Sequence, residues 1–86
     1  MKSKFEVHKA EVNNKLYSNG FSMVFENGYT ISVQIGEIAY SDGKKNAEVA
    51  AWDAEGNYVH FEGGTDVIGW QTTNDVAKMI DIVSKK

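Results

Sequence analysis

The sequence contains no cysteine and no proline, and all of its basic residues are lysine. Without cysteine the chain can form no disulfide, no thiolate nucleophile and no cysteine-based zinc or iron–sulfur site. A secreted domain of 86 residues would usually carry disulfides, so we expect a reducing environment such as the cytoplasm. No apolar run approaches the roughly 18 residues that a spanning helix needs, and residues 1–6 have the charge of a signal peptide but no apolar run behind them. We therefore expect neither membrane insertion nor export by that route.

The absence of arginine bears on the choice of partner. A protein that reads nucleic acid normally presents a basic face and uses arginine to bind guanine and phosphate. This chain has a net charge of −3, and residues 46–77 carry acidic side chains but no lysine, so direct binding of DNA or RNA is disfavoured. The acidic middle suits a basic partner, although a solvated surface is the commoner reason for such a pattern.

The length and the glycine spacing predict one domain rich in short strands. A chain of 86 residues is too short for two hydrophobic cores, so residues 1–86 should form a single domain. Homodimerisation would add to the narrow stability margin of so small a domain. With proline absent, glycines recur at short intervals, which suits short strands joined by turns.

The first predicted strand runs from about Lys4 to Val12. Phe5 and Val7 alternate with polar residues, and the apolar positions then change phase, which predicts a bulge or bend at His8–Lys9. Asn13–Asn14 follows and predicts a turn, because asparagine tolerates positive φ.

The clearest hairpin pattern is an apolar–polar alternation on both sides of Asn27–Gly28. A two-residue turn there would set Phe25 opposite the polar Thr30. A three-residue loop that ends at Gly28 in the left-handed conformation sets Phe25 opposite Tyr29 and keeps one face apolar, so we favour it. The same register pairs Met23 with Ile31 and Phe21 with Val33.

A second hairpin is predicted around residues 54–56. With that three-residue loop, Ala51 lies opposite Val59 and Val49 opposite Phe61, which makes one face apolar. The other face then carries the remaining pairs, Trp52 opposite Tyr58 and Ala50 opposite His60.

The chain ends in a predicted helix from Thr73, its expected N-cap, to about Val83. An apolar stripe centred on Ile80 has helical spacing, and we expect it to cover the apolar face of the sheet. The stripe comprises Val76, Met79, Ile80 and Val83, and the face comprises Phe21, Ile31, Val49 and Phe61. Trp70 is predicted to be a lid or staple on the core rather than a ligand contact. The predicted fold class is α+β, an antiparallel, meander-like β-sheet of four to five strands with one C-terminal α-helix packed on one face.

The face that carries Trp52, Tyr58 and His60 is the predicted binding surface. Exposed tryptophan and tyrosine make good interface anchors, and the neighbouring Glu48 and Glu62 would attract a host protein with a basic surface. The competing interpretation is a cross-strand aromatic pair that only stabilises the sheet.

A further candidate is Tyr40, in the loop of residues 36–46. Loops held by a rigid sheet often carry function, so Tyr40 is predicted to contact the partner. A solvated connection is the commoner reason for such a loop.

No residue pattern indicates catalysis or a bound metal. His60 and Glu62 alternate with Asp66 nearby, but histidines that are far apart in sequence make a weak ligand set. Gly63–Gly64 lacks the lysine and the following helix of a phosphate-binding loop. The carboxylates and serines show no pairing typical of acid–base or nucleophilic chemistry. We therefore expect no cofactor, no metal and no enzymatic activity.

Four segments of the sequence are Ser18–Phe21, Asn27–Val33, Ala47–Asp53 and Asp66–Trp70. Together they resemble small accessory proteins of tailed bacteriophages, and the resemblance covers most of the chain. It implies a protein that is made in the bacterial cytoplasm during infection and that binds and blocks a host protein, including CRISPR or other defence machinery. Two other functions stay open, namely a structural or assembly protein of the virion and a protein that sequesters a small ligand or nucleotide.

Overall fold

The computed structural model of the protein describes residues 3–12, 15–36, 46–61 and 67–86. A five-stranded antiparallel sheet, with its strands in chain order, is followed by a helix. The elements are β1 (Lys4–Val12), β2 (Lys15–Val24), β3 (Thr30–Gly36), β4 (Asn46–Trp52), β5 (Val67–Thr72) and α1 (Thr73–Ser84). The predicted α+β fold, a meander-like sheet with one C-terminal helix, is confirmed.

The hairpin between β2 and β3 has the three-residue loop that the apolar pattern predicted. The backbone N–H of Phe25 donates to the carbonyl oxygen of Tyr29 at 2.8 Å, and Gly28 has a φ of 89°. Glycine adopts this left-handed φ without steric cost, so Gly28 lets the loop close while Met23 stays opposite Ile31. The apolar residues of both strands therefore share one face.

The irregularity between β1 and β2 lies farther along the chain than predicted. The ladder is regular at His8–Lys9, and its register shifts between Ala10 and Glu11 instead. The bulge predicted at His8–Lys9 was therefore wrong. His8 lies opposite Gly20, which has no side chain, so no cross-strand side-chain pair forms at this position. The predicted turn at Asn13–Asn14 lies outside the described residues.

The second hairpin closes as predicted but is shorter. Trp52 lies opposite Tyr58, and the N–H of Val59 donates to the carbonyl oxygen of Ala51 at 2.8 Å. Residues 59–61 then leave the ladder. In the described part of the chain, the strand predicted at residues 58–62 is thus reduced to one bridge.

β4 pairs with β5 beyond this bridge. Val49 lies opposite Ile68, and Ala50 lies opposite Val67. The predicted pairs Val49–Phe61 and Ala50–His60 were therefore wrong. Sequence alternation did not reveal β5, because its register against β4 shifts and its apolar residues do not alternate.

The core lies between α1 and the sheet. Its fully buried members are Ile31, Val49, Ala51 and Val83. α1 packs on β3, β4 and β5, so the expectation that the helix covers the apolar face is confirmed. The buried residue of α1 is Val83, whereas Ile80, the predicted centre of the stripe, is only half-buried. Ile80 lines an open hollow beside Phe21 and Val33, so the sheet does not cover its side chain fully.

α1 begins with a capping box at Thr72. The hydroxyl of Thr72 accepts a hydrogen bond from the N–H of Asp75 at 3.2 Å, and the carboxylate of Asp75 accepts one from the N–H of Thr72 at 3.0 Å. Thr72 is extended, with φ −73° and ψ 170°, whereas Thr73 is already helical. The prediction of Thr73 as the N-cap was therefore wrong by one position.

Trp70 does not cover the core. Its side chain is 60% exposed, and its φ of 59° is left-handed. Such a φ interrupts the regular alternation of side chains along β5, which is why Trp70 turns to solvent. The prediction that Trp70 is a lid was wrong.

Candidate functional site

The two faces of the sheet differ in what lies over them. Strand alternation places Ile31 and Val33 beneath α1 and places Ser22 and Ser32 on the opposite face. Within the described ranges, no helix or strand lies over that opposite face. Among the described residues, β1 lies beside β2 and does not fold across this face.

The opposite face contains a hollow of about 720 Å³. Its floor consists of small side chains, since Ser22 on β2 lies directly opposite Ser32 on β3, with Thr30 nearby. Larger side chains stand on both sides, namely Trp52 on β4 and the Lys4–Glu6 pair on β1. Short residues between long ones therefore create the concavity, which we call the hydroxyl hollow.

The floor of the hydroxyl hollow is ordered by hydrogen bonds. Ser22 is only 5% exposed, and Nε2 of Gln34 donates to Oγ of Ser32 at 3.1 Å. Among the described residues, every buried side-chain nitrogen or oxygen has a hydrogen-bond partner. A satisfied polar floor keeps its shape without bound ligand.

A tight turn brings Trp52 and Tyr58 together beside the hollow. Oδ1 of Asp53 accepts hydrogen bonds from the N–H groups of Glu55 at 3.0 Å and Asn57 at 2.9 Å, which fixes the turn. The two rings meet edge to face, with centroids 5.9 Å apart and an interplanar angle of 67°. This is a preferred aromatic geometry, and the predicted Trp52–Tyr58 pairing is confirmed.

Carboxylates stand on both sides of the hydroxyl hollow. The N–H of Asn57, together with other donors of the turn, lowers the pKa of Asp53 below its ordinary value of 3.8. Asp53 is therefore negative at neutral pH. On the β1 side, Nζ of Lys4 lies 2.9 Å from Oε1 of Glu6.

The predicted binding residues are only partly brought together. Trp52 and Tyr58 are in contact, and Glu48 lies on the same face, opposite Gln34. His60 is exposed but does not continue the ladder, so its predicted position in this row was wrong. The other two predicted residues, Tyr40 and Glu62, lie outside the described residues.

Sequence reasoning missed the floor and the β1 side of the hydroxyl hollow. A signal for the floor was present, because the register that sets Phe21 opposite Val33 also sets Ser22 opposite Ser32. Two small polar residues that face each other inside a sheet leave space above them. The Lys4–Glu6 pair could not be placed, since no sequence pattern predicted the register of β1 against β2.

The described residues provide no group of three or more histidine, aspartate or glutamate side chains that could hold a metal ion. Of the weak ligand set considered from the sequence, Glu62 and Asp66 lie outside those residues. In the same ranges, no helix has the length and apolar character needed to cross a membrane.

Comparison with protein-family models, with curated proteins and with solved structures found no match.

Proposed function

We propose that this protein is a non-catalytic binding module that holds a protein partner with a basic surface against the hydroxyl hollow. The observation that carries the proposal is the Trp52–Tyr58 pair beside a concave sheet face. Tyr58 is 48% exposed and Trp52 is half-buried, so the pair presents aromatic surface to solvent. Aromatic side chains beside a concavity are typical anchors of protein interfaces.

The chemistry around the hollow favours a cationic side chain of the partner. A lysine or arginine that enters it would lie against the ring of Trp52, and such a cation–π contact contributes about 0.5–2 kcal/mol. The carboxylates of Asp53 and Glu6 border the same space. The serine hydroxyls of the floor can accept hydrogen bonds from an ammonium or guanidinium group.

The overall charge supports the same class of partner. A net charge of −3 speeds encounter with a basic protein by electrostatic attraction, which weakens as salt is added. Association should therefore slow as ionic strength rises, while the aromatic contact should slow dissociation.

The likeness of four sequence segments to accessory proteins of tailed bacteriophages supports a more specific proposal. The partner is then a host protein of the bacterial cytoplasm, including a component of CRISPR or another defence system, that this chain blocks by occupying its basic surface. Such blocking requires only binding and no catalytic group.

The test is capture of a partner from a bacterial lysate by the wild-type protein and by the double variant Trp52→Ala, Tyr58→Ala. The captured protein is identified and purified, and its Kd for each variant is measured. We expect the double variant to stay folded by circular dichroism and to lose at least roughly tenfold in affinity, because truncated aromatic anchors commonly cost more than 1 kcal/mol each.

The matched control is Trp70→Ala, which removes an exposed indole from another part of the sheet. It should bind as the wild type does. Equal affinity of the double variant and the wild type would contradict the proposal, and so would a partner that binds through an acidic surface.

A small polar ligand is the second candidate, and the size of the hollow favours it. Ligand sites typically enclose about 300–1,000 Å³, and the hydroxyl hollow has about 720 Å³. The chain has two tryptophans, so Trp70→Phe leaves Trp52 as the fluorescent reporter. A saturable fluorescence change with a nucleotide would support this candidate, whereas no response across a nucleotide panel would argue against it.

A further inference from the structure

β1 displays an apolar row at an edge of the sheet. Phe5 is 72% exposed and Val7 is 77% exposed. Both lie on the same face as α1, because they are opposite Met23 and Phe21, but α1 packs on β3, β4 and β5. In the described part of the chain, β1 has a neighbouring strand on one side only. An exposed apolar row on such an edge favours pairing with another strand.

The backbone of the same two residues faces outward. The N–H of Phe25 donates to the carbonyl oxygen of Tyr29, the residue before β3, and the direction of hydrogen bonding alternates along a strand. Ser22 therefore directs its N–H and carbonyl groups towards β1, where it lies opposite Glu6. Since Glu6 turns its backbone groups to β2, those of Phe5 and Val7 point to the outer side of β1.

We propose that a second copy of this chain pairs with β1, edge to edge and antiparallel, about a two-fold axis at Phe5. Each Phe5 then lies opposite Phe5 of the other copy, and each Val7 lies opposite Ser3. The outward backbone groups of these residues form the new ladder, and the two sheets become continuous. This proposal concerns a different surface from the hydroxyl hollow and does not depend on the binding of a partner there.

Charge complementarity selects the second copy as the occupant and also selects the register. Lys4 and Glu6 flank Phe5 and point to the other face. When the axis lies at Phe5, each Lys4 is opposite Glu6 of the second copy, which gives two complementary pairs. An axis at Lys4 or at Glu6 would instead set like charges directly opposite each other, which is destabilising. Among the registers centred on Lys4, Phe5 and Glu6, the one at Phe5 makes the strand complementary to itself, as an isologous interface requires.

This pairing keeps both hydroxyl hollows accessible. The two-fold axis is perpendicular to the joined sheet, so both hollows open on the same face of that sheet. The paired β1 strands lie between them. The aromatic and valine side chains of the two β1 strands meet on the other side, beside the two helices.

The first test measures the mass of the full chain by sedimentation and by light scattering over a range of concentrations. We expect the wild type to reach twice the chain mass of 9.6 kDa and Phe5→Lys to stay monomeric. Because Phe5 is mostly exposed in the protomer, that variant should keep its fold by circular dichroism. The control Ile82→Lys changes an exposed apolar residue of α1 and should still dimerise.

The second test is specific for the register and uses Lys4→Glu and Glu6→Lys. Each variant alone places like charges opposite each other in the dimer, so its dimer dissociation constant should rise roughly tenfold or more. An equimolar mixture restores complementary charges in a heterodimer and should recover affinity to within a few-fold of the wild type. The salt bridge within one chain is lost in both variants, so only pairing between chains explains the recovery.

Amide hydrogen exchange at Val7 gives an independent readout. We expect slow exchange above the dissociation constant of the dimer and fast exchange on dilution. A wild type that stays monomeric, a dimer that survives Phe5→Lys, or a mixture no tighter than its components would each overturn the proposal. If Phe5→Lys fails to fold, the mixing experiment decides alone.

Discussion

The side-chain amide of Asn27 donates a hydrogen bond to the carbonyl oxygen of Val83 at 2.9 Å, so a residue of the first hairpin loop caps the C-terminal end of α1. The same nitrogen lies 3.3 Å from the carbonyl oxygens of Ser84 and Lys86, and Oδ1 accepts from the N–H of Tyr29 at 3.0 Å. The last carbonyl groups of a helix have no partner within it. A residue 56 positions away supplies one here.

Asn27→Asp should destabilise the protein by about 1–2 kcal/mol. The variant keeps the oxygen that accepts from Tyr29, but it replaces the donor with a carboxylate that faces the helix carbonyl groups. Urea unfolding at neutral pH measures the difference. The control Asn74→Asp makes the same chemical change in the first turn of α1, where a negative charge is favourable; a loss equal to that of Asn27→Asp would rule out the proposed role of the amide donor.

Val83→Ala should cost roughly 2 kcal/mol, because the side chain is 0% exposed and its removal leaves a cavity. The neighbouring Ile82 is 43% exposed, and Ile82→Ala should change the free energy of unfolding by less than about 0.5 kcal/mol. Chemical denaturation of both variants tests the direction in which α1 faces. Comparable losses for the two residues would show that the helix is rotated from the position described.

Gly20→Ala should destabilise the sheet by about 1–3 kcal/mol, since there is no room for a Cβ. The added carbon would clash with the carbonyl oxygen of Val33 and lie 2.8 Å from Oε1 and 2.9 Å from Cα of Gln34. The adjacent Asn19 is exposed, so Asn19→Ala is the control and should be nearly neutral. A melting temperature of Gly20→Ala within error of the control would contradict the close approach of β2 and β3.

The stability of the protein should fall in acid partly through Asp53. The N–H of Asn57 lowers the pKa of Asp53 below 3.8 in the folded state, so folding favours the charged form. The stabilisation is present above the unfolded pKa and is lost as pH falls through the lowered folded pKa. Asp53→Asn keeps an oxygen acceptor but removes the charge, so its free energy of unfolding should fall less than that of the wild type as the pH decreases through the acid range.

The stability that Asp75 contributes should also be lost in acid, because the N–H of Thr72 in the capping box is the main cause that lowers the pKa of Asp75. Urea midpoints measured across the acid range for Asp53→Asn, Asp75→Asn and the double variant check both groups. The urea midpoint of the double variant should fall least as the pH decreases. A fall as steep as that of the wild type would mean that neither carboxylate is linked to folding.

Ser32→Leu should abolish partner binding through the hydroxyl hollow while leaving the core intact. The leucine would fill the floor next to Trp52, because Ser32 lines the hollow on the face away from α1. The control Ala77→Leu adds a side chain of the same size on α1, where residue 77 is exposed. Partner affinity and circular dichroism are measured for both, and unchanged affinity of Ser32→Leu would place the contact outside the hollow.

Local patterns predicted the elements whose signals are local. The three-residue loop at residues 26–28 followed from keeping Phe25 opposite Tyr29, and the C-terminal helix followed from its apolar stripe. The exact cap was harder to assign, because Thr72 and Thr73 are chemically equivalent as N-caps. The extended backbone of Thr72 and its two hydrogen bonds with Asp75, three residues on, distinguish them.

The candidate site was predictable only in part. The pairing of Trp52 with Tyr58 depends on the three-residue loop 54–56 between Asp53 and Asn57, so sequence spacing located it. The position of His60 depends on whether its strand continues beside β4, and β5 takes that place instead. Two segments, residues 58–62 and β5, could pair with the same edge of β4. Apolar alternation within each segment does not show which pairing has the lower free energy.

The sequence by itself determined the α+β class, the two hairpin loops and the absence of cysteine chemistry, because each depends on residue type or on neighbours within a few positions. Tertiary structure decided that β5 borders β4, that Asn27 closes α1, and that Ser22 and Ser32 lie between Trp52 and Lys4 to form the hydroxyl hollow. These features join residues far apart in the chain. Their free energies depend on packing and on hydrogen bonds that exist only once the sheet has formed.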